Sequence, residues 1–189
     1  MITSKAIRDF IRRPRDDWSW YKELTDEELN KRRDRLPLDP PIWNRLQRHQ
    51  KQGVLLGIRL KKLAYWYDVG TGKTLMTLAL ARYFQEKGTL KRALVLVPNL
   101  VNKAEWAREI TKHTPKTSYV ILDGTSEKKW DTLQSTDATV IIETYAGLIR
   151  LLATLASVPG RKTRKLLPDD KRIGAVSALC NMVVLDESG

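Results

Sequence analysis

Cysteine is almost missing: Cys180 stands alone among 189 residues. No intrachain disulfide and no cysteine-rich zinc site can form, and a reducing compartment is the simplest expectation. Histidine is nearly as scarce. His49 and His113 lie far apart and not at metal-ligand spacing, so both read as structural or surface residues. No apolar run approaches the roughly 20 residues that a membrane-spanning helix needs. The opening segment, residues 1–9, lacks the apolar stretch of a secretory signal. These absences exclude a disulfide scaffold, a zinc ribbon and a helical membrane protein. They predict a soluble cytoplasmic protein.

Acidic residues are the minority charge, 22 against 34 Lys and Arg, and the resulting +12 is unevenly placed. Residues 1–40 hold both signs in near balance. Residues 41–100 hold 11 basic and 2 acidic side chains. That excess suggests a polyanionic partner such as nucleic acid, against the plainer alternative of a solvated basic surface.

The stretch Tyr67-Asp68-Val69-Gly70-Thr71-Gly72-Lys73-Thr74 carries the most chemistry. An apolar run, Leu63 to Tyr67, leads into it like a buried strand, expected over 63–69, and a helix-forming run follows to Glu86. Strand, glycine loop and helix N-terminus in that order form an anion site, because the loop amides and the unpaired first-turn amides converge. Gly70 and Gly72 allow the curl, Lys73 can reach β- and γ-phosphates, and the Thr74 hydroxyl suits Mg²⁺. Tyr67 stands where G-x-x-x-x-G-K-[ST] has its first glycine.

The rest of the chain predicts an α/β fold: a mostly parallel sheet with helices on both faces. Strands are expected at 93–97, 118–122, 139–142 and 182–185. Helices are expected within 43–60, at 101–113 and at 145–156. Residues 1–40 read as a charged extension that is partly helical, with a Thr25-x-x-Glu28 capping box and a Pro-rich linker at 36–41. Residues 41–189 read as the main domain. Residues 157–174 read as a polar basic insertion, solvated or near a nucleic-acid path.

The last strand runs into Asp186-Glu187. Acids at the C-terminal end of a buried parallel strand lie where α/β sheets bind ligands. Asp186 can hold Mg²⁺ and Glu187 can orient an attacking water.

With these residues in view, the chain from about Leu46 onward resembles the Swi/Snf-type branch of the superfamily 2 helicases and translocases. Leu46 to Gly53 resembles the glutamine motif, Asp68 to Thr74 motif I, and Leu94 to Leu100 with Trp106 and Glu109 motif Ia. Ile141 to Tyr145 resembles the Thr-Tyr motif, and Asp186 to Gly189 motif II. The family often lacks the first glycine of motif I, so Tyr67 fits. Gly189 departs from the His that many relatives carry.

The resemblance implies the first RecA-like lobe of a DEAD/DEAH-like, ATP-dependent DNA translocase or helicase. ATP and Mg²⁺ would be its cofactors and duplex DNA its partner. It implies catalytic roles for Lys73, Asp186 and Glu187, and nucleotide binding by Gln50, Gly70, Thr71, Gly72, Lys73 and Thr74. Thr74 and Asp186 would hold the metal. Pro98, Asn99, Thr144 and Tyr145 would meet nucleic acid. Motif III and the second lobe are not in these 189 residues, so the chain alone is expected to turn ATP over poorly. A strand-separating DNA or RNA helicase, or a basic DNA-binding module with a vestigial nucleotide site, are the alternative readings.

Overall fold

The computed structural model describes residues 23–34, 36, 40–60, 62–65, 68, 70–157 and 164–186. Continuous apolar strands need cover on both faces, and that requirement organises the chain. Strands β1 (Ala93–Val97), β2 (Tyr119–Ile121), β3 (Val140–Thr144) and β6 (Met182–Leu185) form one sheet in the order β2-β3-β1-β6. Every pairing in it is parallel, with Val95 opposite Ile142 and Val184.

Alternate residues divide the core. Ala93, Val95, Val97, Val140 and Ile142 face one cluster. Leu94, Leu96 and Ile141 face the other. Helices α3 (Arg48–Leu60), α4 (Lys73–Glu86) and α5 (Leu100–His113) cover the first face with Val54, Met76, Leu78, Trp106 and Ile110. Helices α6 (Ser126–Ser135), α7 (Tyr145–Leu151) and α8 (Asp170–Leu179) cover the second with Leu133, Leu151 and Val176. The predicted α/β class with helices on both faces is what the chain adopts.

Helix α1 (Asp26–Arg33) begins at the anticipated capping box. Thr25 Oγ1 accepts from the Glu28 amide, and the Glu28 carboxylate accepts from the Thr25 amide at 2.8 Å. The Thr25 amide, and with it the Thr25 hydroxyl at 3.0 Å, donates to the Glu28 carboxylate and holds it below the usual carboxylate range. Leu24 and Leu29 join the first core cluster. Trp43 donates its indole N–H to Asn30 at 2.9 Å, and the Arg48 guanidinium donates to the Leu24 carbonyl at 2.7 Å.

Four expectations change. The predicted linker at 36–41 runs instead into a helical turn, α2 (Pro40–Trp43), because proline is well suited to the first position of a helix. Leu63, Ala64, Tyr65 and Asp68 lie outside any strand, while Trp66, Tyr67 and Val69 fall outside the described residues. Tyr65 instead donates its hydroxyl to the Gly53 carbonyl at 3.1 Å, which docks the segment on α3 as coil. The helix expected over 145–156 stops at Leu151, and Ala153–Ser157 (β4) pairs antiparallel with Arg164–Pro168 (β5). The run Leu151 to Ala156 suits helix and strand equally by pattern, so the distant partner strand decides it. The region read as an insertion therefore holds β5 and the start of α8. Helix α6 was not foreseen, since Trp130 and Leu133 are too few apolar residues to mark its period.

Among the described residues no helix is long and apolar enough to cross a membrane. Cys180 is buried, and desolvation pushes its thiol pKa up.

Two outcomes follow from this packing. Leu29 is fully buried, so Leu29→Ala should cost about 2–5 kcal/mol in urea unfolding. A change within about 0.5 kcal/mol would mean that α1 is not part of the cooperative unit. Cys180 should react with a thiol reagent far more slowly in the native chain than in denaturant. Equal rates would contradict its burial.

Candidate functional site

The loop at 68–74 is built around glycine. Gly70 and Gly72 have φ of 82° and 78°, in the left-handed region that disfavours a Cβ. A Cβ on Gly72 would also lie 2.2 Å from Gln50 Nε2. Gly72 is the N-cap of α4 and offers no side-chain cap, so the first-turn amides of this helix are open to an anion. The Asp68 carbonyl accepts from Thr71 Oγ1 at 2.8 Å and from Lys73 Nζ at 3.2 Å. Thr74 is half-buried on the first turn of α4.

Gln50 is buried and braces this loop. Its Nε2 donates to the Thr71 carbonyl at 2.8 Å, and its Oε1 accepts from the Gln47 amide at 2.8 Å. One N–H and one lone pair of the amide remain. The structure thus brings Gln50 to the glycine loop from 21 residues away.

Asp186 stands at the C-terminal end of β6 and is held from three sides. Its amide donates to the Leu96 carbonyl at 2.9 Å. Its carbonyl accepts from the Tyr145 hydroxyl at 2.9 Å. Its Oδ2 accepts from the Trp106 indole N–H at 2.7 Å. These bonds tie Asp186 to the sheet and to α5 and α7, not to the glycine loop. Glu187, with Ser188 and Gly189, lies outside the described residues.

The remaining expected residues sit at strand ends. Pro98 follows β1 and is exposed. Asn99 caps α5 by accepting from the Asn102 amide at 3.1 Å, and Thr144 caps α7 by accepting from the Gly147 amide at 2.9 Å. A cavity of about 400 Å³ opens here, lined by Leu100, Thr125, Ser126, Lys129, Thr144 and Arg150 among others. It occupies the C-terminal edge of the sheet, where open α/β sheets bind ligands.

Beneath the cavity lies an ion-pair network that pattern reading missed. Glu143 is fully buried. Its Oε1 meets Lys103 Nζ at 2.6 Å, and its Oε2 meets Lys129 Nζ at 2.6 Å. Lys103 also donates to the Leu122 carbonyl at 2.6 Å and pairs with Asp123 at 3.3 Å. The Thr144 amide donates to Glu143 Oε1 at 2.7 Å. The network ties α5 and α6 to the ends of β2 and β3. Two signals were present in the sequence: a carboxylate inside the apolar run 140–144, and Lys103 in register with Trp106 and Ile110 on the buried face of α5.

The donor set suits a hard cation. Mg²⁺ keeps several waters and takes one or two carboxylates plus substrate phosphates. Trp106 occupies Oδ2 of Asp186, which leaves Oδ1; the Thr74 hydroxyl, on the first turn of α4, would supply a second oxygen. No group of three metal-ligating side chains occurs among the described residues.

The fold is an α/β lobe with a parallel sheet, a glycine loop at a helix N-terminus and an acid at a strand end. The chain belongs to the SNF2-related domain family, whose model matches residues 64–189. A solved SWI2/SNF2 ATPase core from Sulfolobus solfataricus, in complex with double-stranded DNA, is similar at 28% identity and a TM-score of 0.49. That similarity covers 60% of this chain and 24% of the other, so this chain spans about a quarter of that protein's length. No curated protein matches the chain.

Breaking the buried network by Glu143→Ala takes from two ammonium groups their buried counter-charge, leaving Lys103 only the exposed Asp123 and the Leu122 carbonyl, and should cost about 3–5 kcal/mol. Adding Lys103→Met should recover part of the loss in urea unfolding, because one stranded charge is then removed. An unchanged unfolding midpoint in Glu143→Ala would contradict the pairing.

Proposed function

We propose that this chain is the ATP-binding lobe of a DNA translocase that couples Mg-ATP hydrolysis to movement on duplex DNA. The observation that carries the reading is the Gly70–Thr74 loop: left-handed glycines, an uncapped helix N-terminus and a lysine held at its mouth. Membership of the SNF2-related domain family supports it independently.

In this reading the loop amides and the first turn of α4 hold the phosphates. Lys73 exchanges the Asp68 carbonyl for a phosphate oxygen, a charge-assisted bond that is the stronger of the two. Gln50 keeps the loop curled, and its remaining N–H and lone pair select adenine. Thr74 and Asp186 hold Mg²⁺, and Glu187 polarises the attacking water. Held there, Mg²⁺ would neutralise charge that develops on the phosphate oxygens.

The DNA backbone would lie along the C-terminal edge of the sheet, past Pro98, Asn99, Thr144 and Tyr145. Arg150 at the cavity favours this placement, and the excess of basic residues over 41–100 favours a polyanionic partner. Asn99 and Thr144 spend their side chains on helix caps, so their part is to set the helix amides toward a phosphate. The lobe is proposed to span residues 41–189, with 1–40 as an extension.

A fluorescent ATP analogue should bind this chain in the presence of Mg²⁺, and Lys73→Ala should remove the signal. Equal binding by the variant would sink the nucleotide assignment. Duplex DNA affinity should fall linearly with log salt, and Arg150→Ala should reduce the slope by about 1. An unchanged slope would take Arg150 out of the DNA path.

A further inference from the structure

Asp186 is held more tightly than a strand end requires. Backbone pairing with Leu96 fixes its amide, and the Tyr145 hydroxyl fixes its carbonyl. Either bond could serve an ordinary edge residue. The third is different. Trp106 is only 3% exposed, yet its indole nitrogen reaches a carboxylate 80 residues further along the chain. Phe or Leu would fill the same apolar space between α5 and the sheet. What they lack is the N–H, and a buried indole N–H needs a partner of its own.

The face of α5 explains how the contact arises. Lys103, Trp106, Ala107 and Ile110 are its buried residues, spaced at i, i+3, i+4 and i+7. That stripe packs on the sheet and carries the indole to the end of β6. The bond to Oδ2 removes the rotational freedom of the carboxylate and leaves Oδ1 pointing in one direction. The geometry points to Trp106 as a positioning residue that presents Asp186 Oδ1 to a divalent cation, with Tyr145 completing the hold on the backbone. This inference rests on the reading of Asp186 as a metal-holding residue.

The test is a titration of Mg²⁺ into the chain mixed with a fluorescent ATP analogue, compared with binding in EDTA. Trp106→Phe should bind the analogue as the wild type does in EDTA. It should need on the order of 10-fold more Mg²⁺ for the half-maximal metal effect, as expected for one charge-assisted hydrogen bond. Asp186→Asn should blunt the metal effect by itself, and adding Trp106→Phe to it should cause no further loss. If Trp106→Phe does not fold, benzothienylalanine at position 106 keeps the ring volume and removes the N–H.

A wild-type Mg²⁺ requirement in the variant overturns the inference. So does an equal loss with and without Mg²⁺, which would mark a packing role, or an additive loss in the Asp186→Asn background. A wild-type chain that binds the analogue without any Mg²⁺ effect overturns the metal reading of Asp186 and the inference with it. Loss of binding in Lys73→Ala bears on the nucleotide reading alone.

Discussion

Parallel pairing brings the chemistry of this chain to one edge. Because β1, β3 and β6 run in one direction and in register, Val97 lies beside Thr144 and Leu96 beside Leu185. Their C-terminal ends therefore stop together. Pro98, Thr144 and Asp186 become neighbours on that edge although they span 88 positions of sequence. An antiparallel partner would send one of these ends to the opposite side of the sheet. The helices that leave the edge then inherit their starting points from it: α5 from Asn99, α6 from Thr125 and α7 from Thr144.

Crowding strand ends and helix starts together has an electrostatic consequence. The second face of β3 turns from Ile141 to Glu143, which lies fully buried on the side that α6 and α7 cover. A fully buried carboxylate must be paired, and Lys103 and Lys129 supply the pairs. The network does more than offset burial. It fastens Leu122 and Thr144, at the ends of β2 and β3, to the two helices that flank the cavity. On the other face the same edge uses a neutral donor, Trp106, to restrain Asp186. The edge is thus held rigidly from both sides of the sheet, as a site that orients ligands requires.

Legibility in the sequence followed the range of the interaction. Helix α4 begins at Lys73 and ends at Glu86 as the local pattern implied, and the Thr25–Glu28 box was visible because it spans three residues. The strands at 93–97 and 182–185 could be read because unbroken apolar runs bounded by turn residues have few other uses. The run at 63–69 has the same composition, yet its described residues form no strand. Tyr65 found a partner on α3 instead. Leu151 to Ala156 read as helix, yet from Ala153 onward it is strand β4, since Arg164–Pro168 offered a ladder that local propensity cannot anticipate.

By itself the sequence determined the α/β class, the glycine loop, the acid after the last strand and the family to which the chain belongs. All of these rest on residue types at short, fixed spacings. The tertiary structure decided the strand order, the bracing of the loop by Gln50, the Lys103–Glu143–Lys129 network and the indole on Asp186. Those contacts join residues from 14 to 80 positions apart. Such partners meet through sheet register and helix packing, and neither is written in any one segment of the chain.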